Sequence, residues 1–212
     1  KHFIICANNP GSCYGTTGAT STNPKTDLPY GNNFPLITIR DTAEILIKLR
    51  LHLGIKKIHI LTGGSIGGQI ALEWAIKEPG LIENLIPIAT NGKQTPWAIA
   101  FNEAQRMALS AGEEGIKAAR AIALLSYRGY EAYNKTQGDE EGKTDNFNAS
   151  SYQRYQGEKF AKRFDPATYY TLSKTMDSHD VGRGRGSVEA ALQQVKANTL
   201  VIGIDSDILF PI

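Results

Sequence analysis

A chain of 212 residues, 41% of them hydrophobic, can bury one sizeable core and reads as one domain with room for a subdomain. Its 23 basic and 21 acidic residues leave a net charge of +2, scattered along the chain, which excludes an electrostatic footprint for nucleic acid or an anionic membrane. No apolar run approaches the about 18 residues of a membrane span, no signal peptide is visible, and two cysteines (Cys6 and Cys13) make no disulfide framework, so a reduced, cytoplasmic protein is expected.

Phe3 to Ala7 is a continuous apolar run that predicts a buried strand. Residues 8–35 are rich in Gly, Asn, Thr, Ser and Pro and read as a long functional loop. Asp41 is the expected cap of a helix to about Leu53, with Ala43, Ile45, Leu46, Leu49 and Leu53 as apolar positions and Gly54 as the stop. Lys57 to Leu61 predicts a second strand, Ile66 to Lys77 a helix, and Leu85 to Ala89 a third strand, which Pro87 makes a poor central strand. This alternation is that of a parallel α/β sheet.

From Gln94 to Ser178 helical periods dominate, over Trp97 to Leu109, Gly115 to Leu125, Tyr152 to Phe164 and Ala167 to Met176. The polar stretch Lys135 to Ser150 interrupts them. Val188 to Val195 predicts a helix, and Thr199 to Gly203 a return to a buried strand. Three segments are therefore expected: a core over 1–93, a helical lid insertion over 94–187, and a second core part over 188–212. The chain opens in a strand-like run without a methionine and closes on Leu209-Phe210-Pro211-Ile212, which reads as an internal piece of a longer protein.

Gly63-Gly64-Ser65-Ile66-Gly67 fits the pattern Gly-x-Ser-x-Gly between a strand and a helix. Small residues let the chain turn tightly, lifting the serine Oγ clear of the sheet and setting the Ile66 N–H at a helix N-terminus, where an oxyanion can develop. The setting predicts an α/β-hydrolase fold with Ser65 as nucleophile and Ile66 as oxyanion donor. A phosphate-binding loop is the rival reading, and the turn lacks its Lys-Ser/Thr ending.

On such a fold the acid follows a late strand, and Asp205 and Asp207 both follow Thr199 to Gly203. Asp207 is the expected triad acid, because Asp205 lies closer to the strand and fits a turn cap. None of the four histidines, His2, His52, His59 and His179, follows Asp207, and His179 reads as a loop residue. A serine without a base is a weak nucleophile, so the base is expected beyond Ile212 and the isolated chain is expected to have little activity.

Longer motifs sharpen this. Cys13-Tyr14-Gly15-Thr16-Thr17-Gly18, Phe34 to Asp41, Gly63 to Gln69 with Ala71 to Ala75, Ala100 to Glu103, Tyr155 to Phe160, Ser178 to Gly184 and Ser206 to Pro211 resemble, in order, the homoserine O-acetyltransferases of methionine biosynthesis. The resemblance implies acetyl transfer from acetyl-CoA to the hydroxyl of L-homoserine through an acyl-serine. It makes Ser65 the nucleophile and Asp207 the acid. Arg128 is similar to the arginine that binds the homoserine carboxylate, with Tyr133 lining the same pocket. A guanidinium suits that task because it can give two parallel hydrogen bonds. The resemblance implies no cofactor beyond acetyl-CoA as co-substrate, no metal, and a homodimer.

The early loop departs from the family pattern at Asn8 to Ser12, which keeps a succinyl donor open. The serine chemistry alone also allows an esterase, and the missing base allows a non-catalytic hydrolase-like protein.

Overall fold

A computed structural model describes residues 2–212, the side chain of Glu113 excepted. Lys1, the first residue of the expected core, lies outside the described residues. The loop expected over 8–35 contains a short hairpin, β1 (Thr22–Asn23) against β2 (Leu28–Pro29).

Helix α1 (Ile39–His52) starts three residues earlier than a cap at Asp41 would place it. Thr38 is the cap. Its side chain accepts from the Asp41 N–H, and the Asp41 carboxylate accepts in return from the Thr38 N–H. This reciprocal box satisfies two donors that a helix start otherwise leaves unpaired. Asp41 is thus the box partner, not the cap.

Strand β3 (Ile58–Gly64), helix α2 (Ile66–Lys77) and strand β4 (Ile82–Ile88) form one βαβ unit, with β3 and β4 parallel from Ile58 opposite Ile82 to Gly64 opposite Ile88. Strand β5 (Asn198–Thr199) joins the far side of β4 in parallel. The order β3-β4-β5 puts the proline-bearing strand in the centre, against the expectation from Pro87. The Pro87 carbonyl accepts from the Ile202 N–H at 3.0 Å, so the donor that proline lacks falls on the β5 side. There the ladder has already thinned to an isolated bridge between Ile88 and Ile202, and the lost bond costs little register.

Two expected strands change. Phe3 to Ala7 forms no strand, and Phe3 and Ile4 stand 91% and 88% exposed. An apolar run becomes a buried strand only when a neighbour takes its backbone groups, and no pairing forms here. Thr199 to Gly203 is not buried either: its regular ladder stops at Thr199 and goes on only as the bridge of Ile202 to Ile88, and Leu200 and Val201 are exposed.

The core lies on one face of the sheet. Ile39, Ala43 and Ile47 of α1, Ile70, Trp74 and Ile76 of α2, and Leu85 of β4 close around each other with Val181 and Ala191. Helix α2 is almost wholly buried because α1 covers one flank and the sheet the other.

Between β4 and α8 (Val188–Leu192) run five helices: α3 (Pro96–Leu109), α4 (Glu113–Tyr127), α5 (Tyr130–Gln137), α6 (Asn148–Ala161) and α7 (Pro166–Asp177). Helix α5 had no counterpart in the hydrophobic periodicity, for it buries none of its residues. Helix α4 packs on α3 and α6, and α3 on α7. Asp177 of α7 ties this layer together, accepting from Asn102 and pairing with the buried Arg106, both of α3, at 2.7 Å each.

Candidate active site

Ser65 caps α2 with φ 53° and ψ −122°. That region is costly for a residue with a Cβ, by roughly 1–3 kcal/mol, and persists only where the surroundings hold it. The turn is held from three sides. The Ser65 N–H donates to the Ile88 carbonyl at 2.9 Å. The Ser65 carbonyl accepts from the Gly68 and Gln69 N–H groups, and from the Thr90 hydroxyl at 2.8 Å.

The turn needs glycine at particular places. A Cβ on Gly63 would stand 2.3 Å from the Gly67 carbonyl, and one on Gly68 would stand 2.6 Å from Thr90 Cγ2. Gly67, the last glycine of the motif, has open space around the same position. The steric requirement therefore falls on Gly63 and Gly68, the second of which lies outside the five-residue pattern.

Ser65 and Asp207 line the same cleft, of about 400 Å³, with Ala89, Ser126, Tyr127, Gly129, Ile204, Ser206, Leu209 and Phe210. Asp207 Oδ1 accepts from the Leu209 and Phe210 N–H groups at 2.8 and 3.0 Å, which fixes the carboxylate and leaves Oδ2 to face another donor. Asp205 is exposed and absent from the cleft wall. Ile66 is the first residue of α2, so its N–H has no partner within the helix and suits an oxyanion. Ala89, at the end of β4, is a second strained residue in the wall, with φ 44°.

Arg128 and Tyr133 stand differently. Arg128 donates to the Tyr152 hydroxyl at 3.1 Å and to Thr136 Oγ1 at 3.2 Å, and its guanidinium lies 5.5 Å from the Tyr152 ring centre and 6.0 Å from that of Tyr133. Neither Arg128 nor Tyr133 is part of the cleft wall, although Tyr127 and Gly129 are. Among the described residues no carboxylate pairs with Arg128. Tyr152, Ser206 and Thr90 are contributors that periodicity could not single out, for each is marked only by its tertiary neighbours.

Among the described residues no histidine lines the cleft. His59 is exposed on β3 and pairs with Glu83, and His52 is exposed on α1. His179 does lie in the loop after α7, but the loop is buried there: the residue is 2% exposed, and its Nε2 lies 2.9 Å from the Asn91 carbonyl. It borders a separate cavity of about 50 Å³ with Arg40, Glu73, Asp180 and Arg183. Burial pushes its pKa down to about 4, against the raising effect of the Asn91 carbonyl, Glu73 and Asp180. The ring is neutral at pH 7, and since it faces a carbonyl oxygen, Nε2 carries the proton. No group of three or more His, Cys, Asp or Glu residues among the described residues is arranged to hold a metal ion.

A strained serine turn and an anchored aspartate at the carboxyl end of a parallel sheet fit one class of fold, and the α/β-hydrolase fold family matches residues 1–212, so the chain belongs to that family. Within it the chain is 50% identical to a homoserine O-acetyltransferase of Cyclobacterium marinum, a match that covers 99% of this chain and 63% of that protein. The chain thus spans less than two thirds of that relative's length. Among solved structures, a homoserine O-acetyltransferase from Bacillus anthracis superimposes with a TM-score of 0.83 at 26% identity, over 92% of this chain and 58% of that one. Esterase E22 superimposes as well, with a TM-score of 0.83 at 25% identity over 92% and 60% of the two chains. Among the described residues no helix is long and apolar enough to cross a membrane.

Proposed function

We propose that these residues carry the nucleophile and the acid of a homoserine O-acetyltransferase. The observation that carries this reading is the placing of strained Ser65 and anchored Asp207 in one cleft. The kinship with the Cyclobacterium marinum homoserine O-acetyltransferase supports homoserine as the acceptor and acetyl as the group moved, and acetyl-CoA is taken as its donor. Ser65 Oγ attacks the acetyl-CoA thioester carbonyl and loses its proton to an imidazole oriented by Asp207. That imidazole belongs to polypeptide outside the 212 residues. The Ile66 N–H stabilises the oxyanion, and CoA leaves as the thiol with the proton. The L-homoserine hydroxyl then attacks the acetyl-serine, yielding O-acetylhomoserine and free Ser65.

Arg128 serves the homoserine carboxylate in this reading. Its present partners are neutral hydroxyls, so its charge is unmatched and free to pair with an anion. Helices α3–α7 act as a lid, and the end of α4 already forms part of the wall through Ser126 and Tyr127.

The likeness to esterase E22 favours a second reading, in which water takes the acyl group. One assay separates the two. The complete protein is supplied with acetyl-CoA or succinyl-CoA, with and without L-homoserine, and CoA release is followed. Release with acetyl-CoA that depends on homoserine and vanishes in Ser65→Ala is expected. Steady release without homoserine means a hydrolase, and preference for succinyl-CoA changes the donor.

A further inference from the structure

We infer that His179 is a positioning residue for Ser65: it pins the segment 89–94, and that segment, through Thr90 and Gln69, fixes the carbonyl of the nucleophile turn. The inference rests on Ser65 being the nucleophile. It assigns a task to the buried histidine that acyl transfer itself leaves unused.

The contacts form a closed ring with an outer pin. Thr90 donates its hydroxyl to the Ser65 carbonyl, which the Gln69 N–H also reaches from within α2. The Gln69 side chain is fully buried and donates to Asn91 Oδ1 and Gln94 Oε1, at 3.1 Å each. Asn91 is the next residue after Thr90, and its Nδ2 also donates to Gln94 Oε1, at 3.3 Å. The ring therefore runs from Ser65 through α2 to Gln69, across to Asn91, and back through Thr90. His179 grips it from outside: Nε2–H donates to the Asn91 carbonyl, and the His179 carbonyl accepts from the Gln94 N–H at 2.9 Å. Val181 continues the grip, its N–H donating to the Gly92 carbonyl at 3.0 Å.

Two features say why this segment needs a grip. Ala89 and Ser65 both hold positive φ, and both border the cleft. Strained residues relax unless neighbours over-determine them. A buried imidazole is also a costly filler, because Nδ1 has no hydrogen-bond partner among the described residues. An apolar side chain would fill the space without that cost, but it could not donate to Asn91. Glu73 and Asp180 on one hand and Arg183 on the other face the ring electrostatically, and none of them is within the cleft wall.

The test uses the complete protein and reads acylation of Ser65 directly, as the pre-steady-state burst of nitrophenol from p-nitrophenyl acetate. KM and kcat of acetyl-CoA turnover are measured alongside. His179→Leu removes the donor. It is expected to slow the burst by about 10- to 100-fold while KM stays put, since a small misplacement of the nucleophile acts on the reacting geometry. His179→Gln keeps an N–H near the Nε2 position and is expected to recover most of the rate. Thr90→Val breaks the next link and is expected to slow the burst likewise. Its combination with His179→Leu should be less than additive, because both act through one carbonyl.

A His179→Leu burst at the wild-type rate, or one no better in His179→Gln, overturns the inference. If His179→Leu does not fold, Thr90→Val decides, and a normal burst there overturns it. A wild type with no burst at all removes the nucleophile reading and this inference with it. A wild type with a burst but no transfer to homoserine removes only the acceptor, and the comparison among variants stands.

Discussion

Burial lowers the pKa of His179 from 6.5 to about 4, and this makes one residue a determinant of acid stability. The folded protein disfavours the charged ring. Below about pH 6.5 the unfolded chain therefore binds a proton that the native state refuses until pH falls near 4. Stability from the neutral ring is complete above that window and drains away as pH falls through it, by up to about 3 kcal/mol for a shift of this size. His179→Gln does not titrate. Denaturant unfolding at pH 7 and pH 4.5 is expected to show a smaller loss in His179→Gln than in wild type. Equal losses would show that the ring is not held neutral. The same residue illustrates what a sequence conceals: Ser178-His179-Asp180 reads as a polar loop, and only the packing of Asn91 and Gln94 against it makes the histidine an interior donor.

At the scale of elements, the strand-turn-helix around Ser65 was legible because its causes are local. An apolar strand, small residues and a largely apolar helix stand in unbroken order, and β3, α2 and β4 appear within about three residues of the expected bounds. What the pattern left open was which glycine matters. Gly63→Ala drives a methyl group into the backbone of Gly67 and is expected to cost about 1–3 kcal/mol of stability, together with most of the acyl transfer. Gly67→Ala meets nothing within 4 Å and is expected to fold with a near-native melting temperature. Thermal melts of the two variants check this, and the reverse order would mean that the turn has another shape. Helix α5 escaped the sequence for the opposite reason: with no buried residue it leaves no apolar period to read.

The whole molecule is asymmetric. Leu85 and Pro87 are buried toward the helices, whereas Ile60, Leu200 and Ile202 on the other face of the sheet are 48%, 58% and 38% exposed. A sheet face of this kind is normally covered. The 212-residue polypeptide expressed alone is expected to bind a hydrophobic dye such as anilinonaphthalene sulfonate, and Ile60→Thr with Leu200→Thr to lower the signal. A polypeptide that binds no dye would place those side chains elsewhere. The helical layer was anticipated from its periodicity over Gln94 to Ser178, but its packing was not, since Asp177 meets Asn102 and Arg106 across a long span of sequence.

The sequence by itself determined the α/β alternation, the strand-turn-helix around Ser65 and the placing of Asp207 on an anchored turn. Each of these depends on neighbours within a few residues, down to the Leu209 and Phe210 N–H groups that anchor the Asp207 carboxylate. Tertiary structure alone decided that Phe3 to Ala7 pairs with nothing, that Pro87 lies in the central strand, that Arg128 rests on Tyr152 and Thr136, and that His179 reaches Ser65 through Asn91 and Thr90. The physical reason is the same in each case. A hydrogen bond or a buried face needs its second partner, and in these cases the chain brings that partner, or fails to bring it, from far along the sequence.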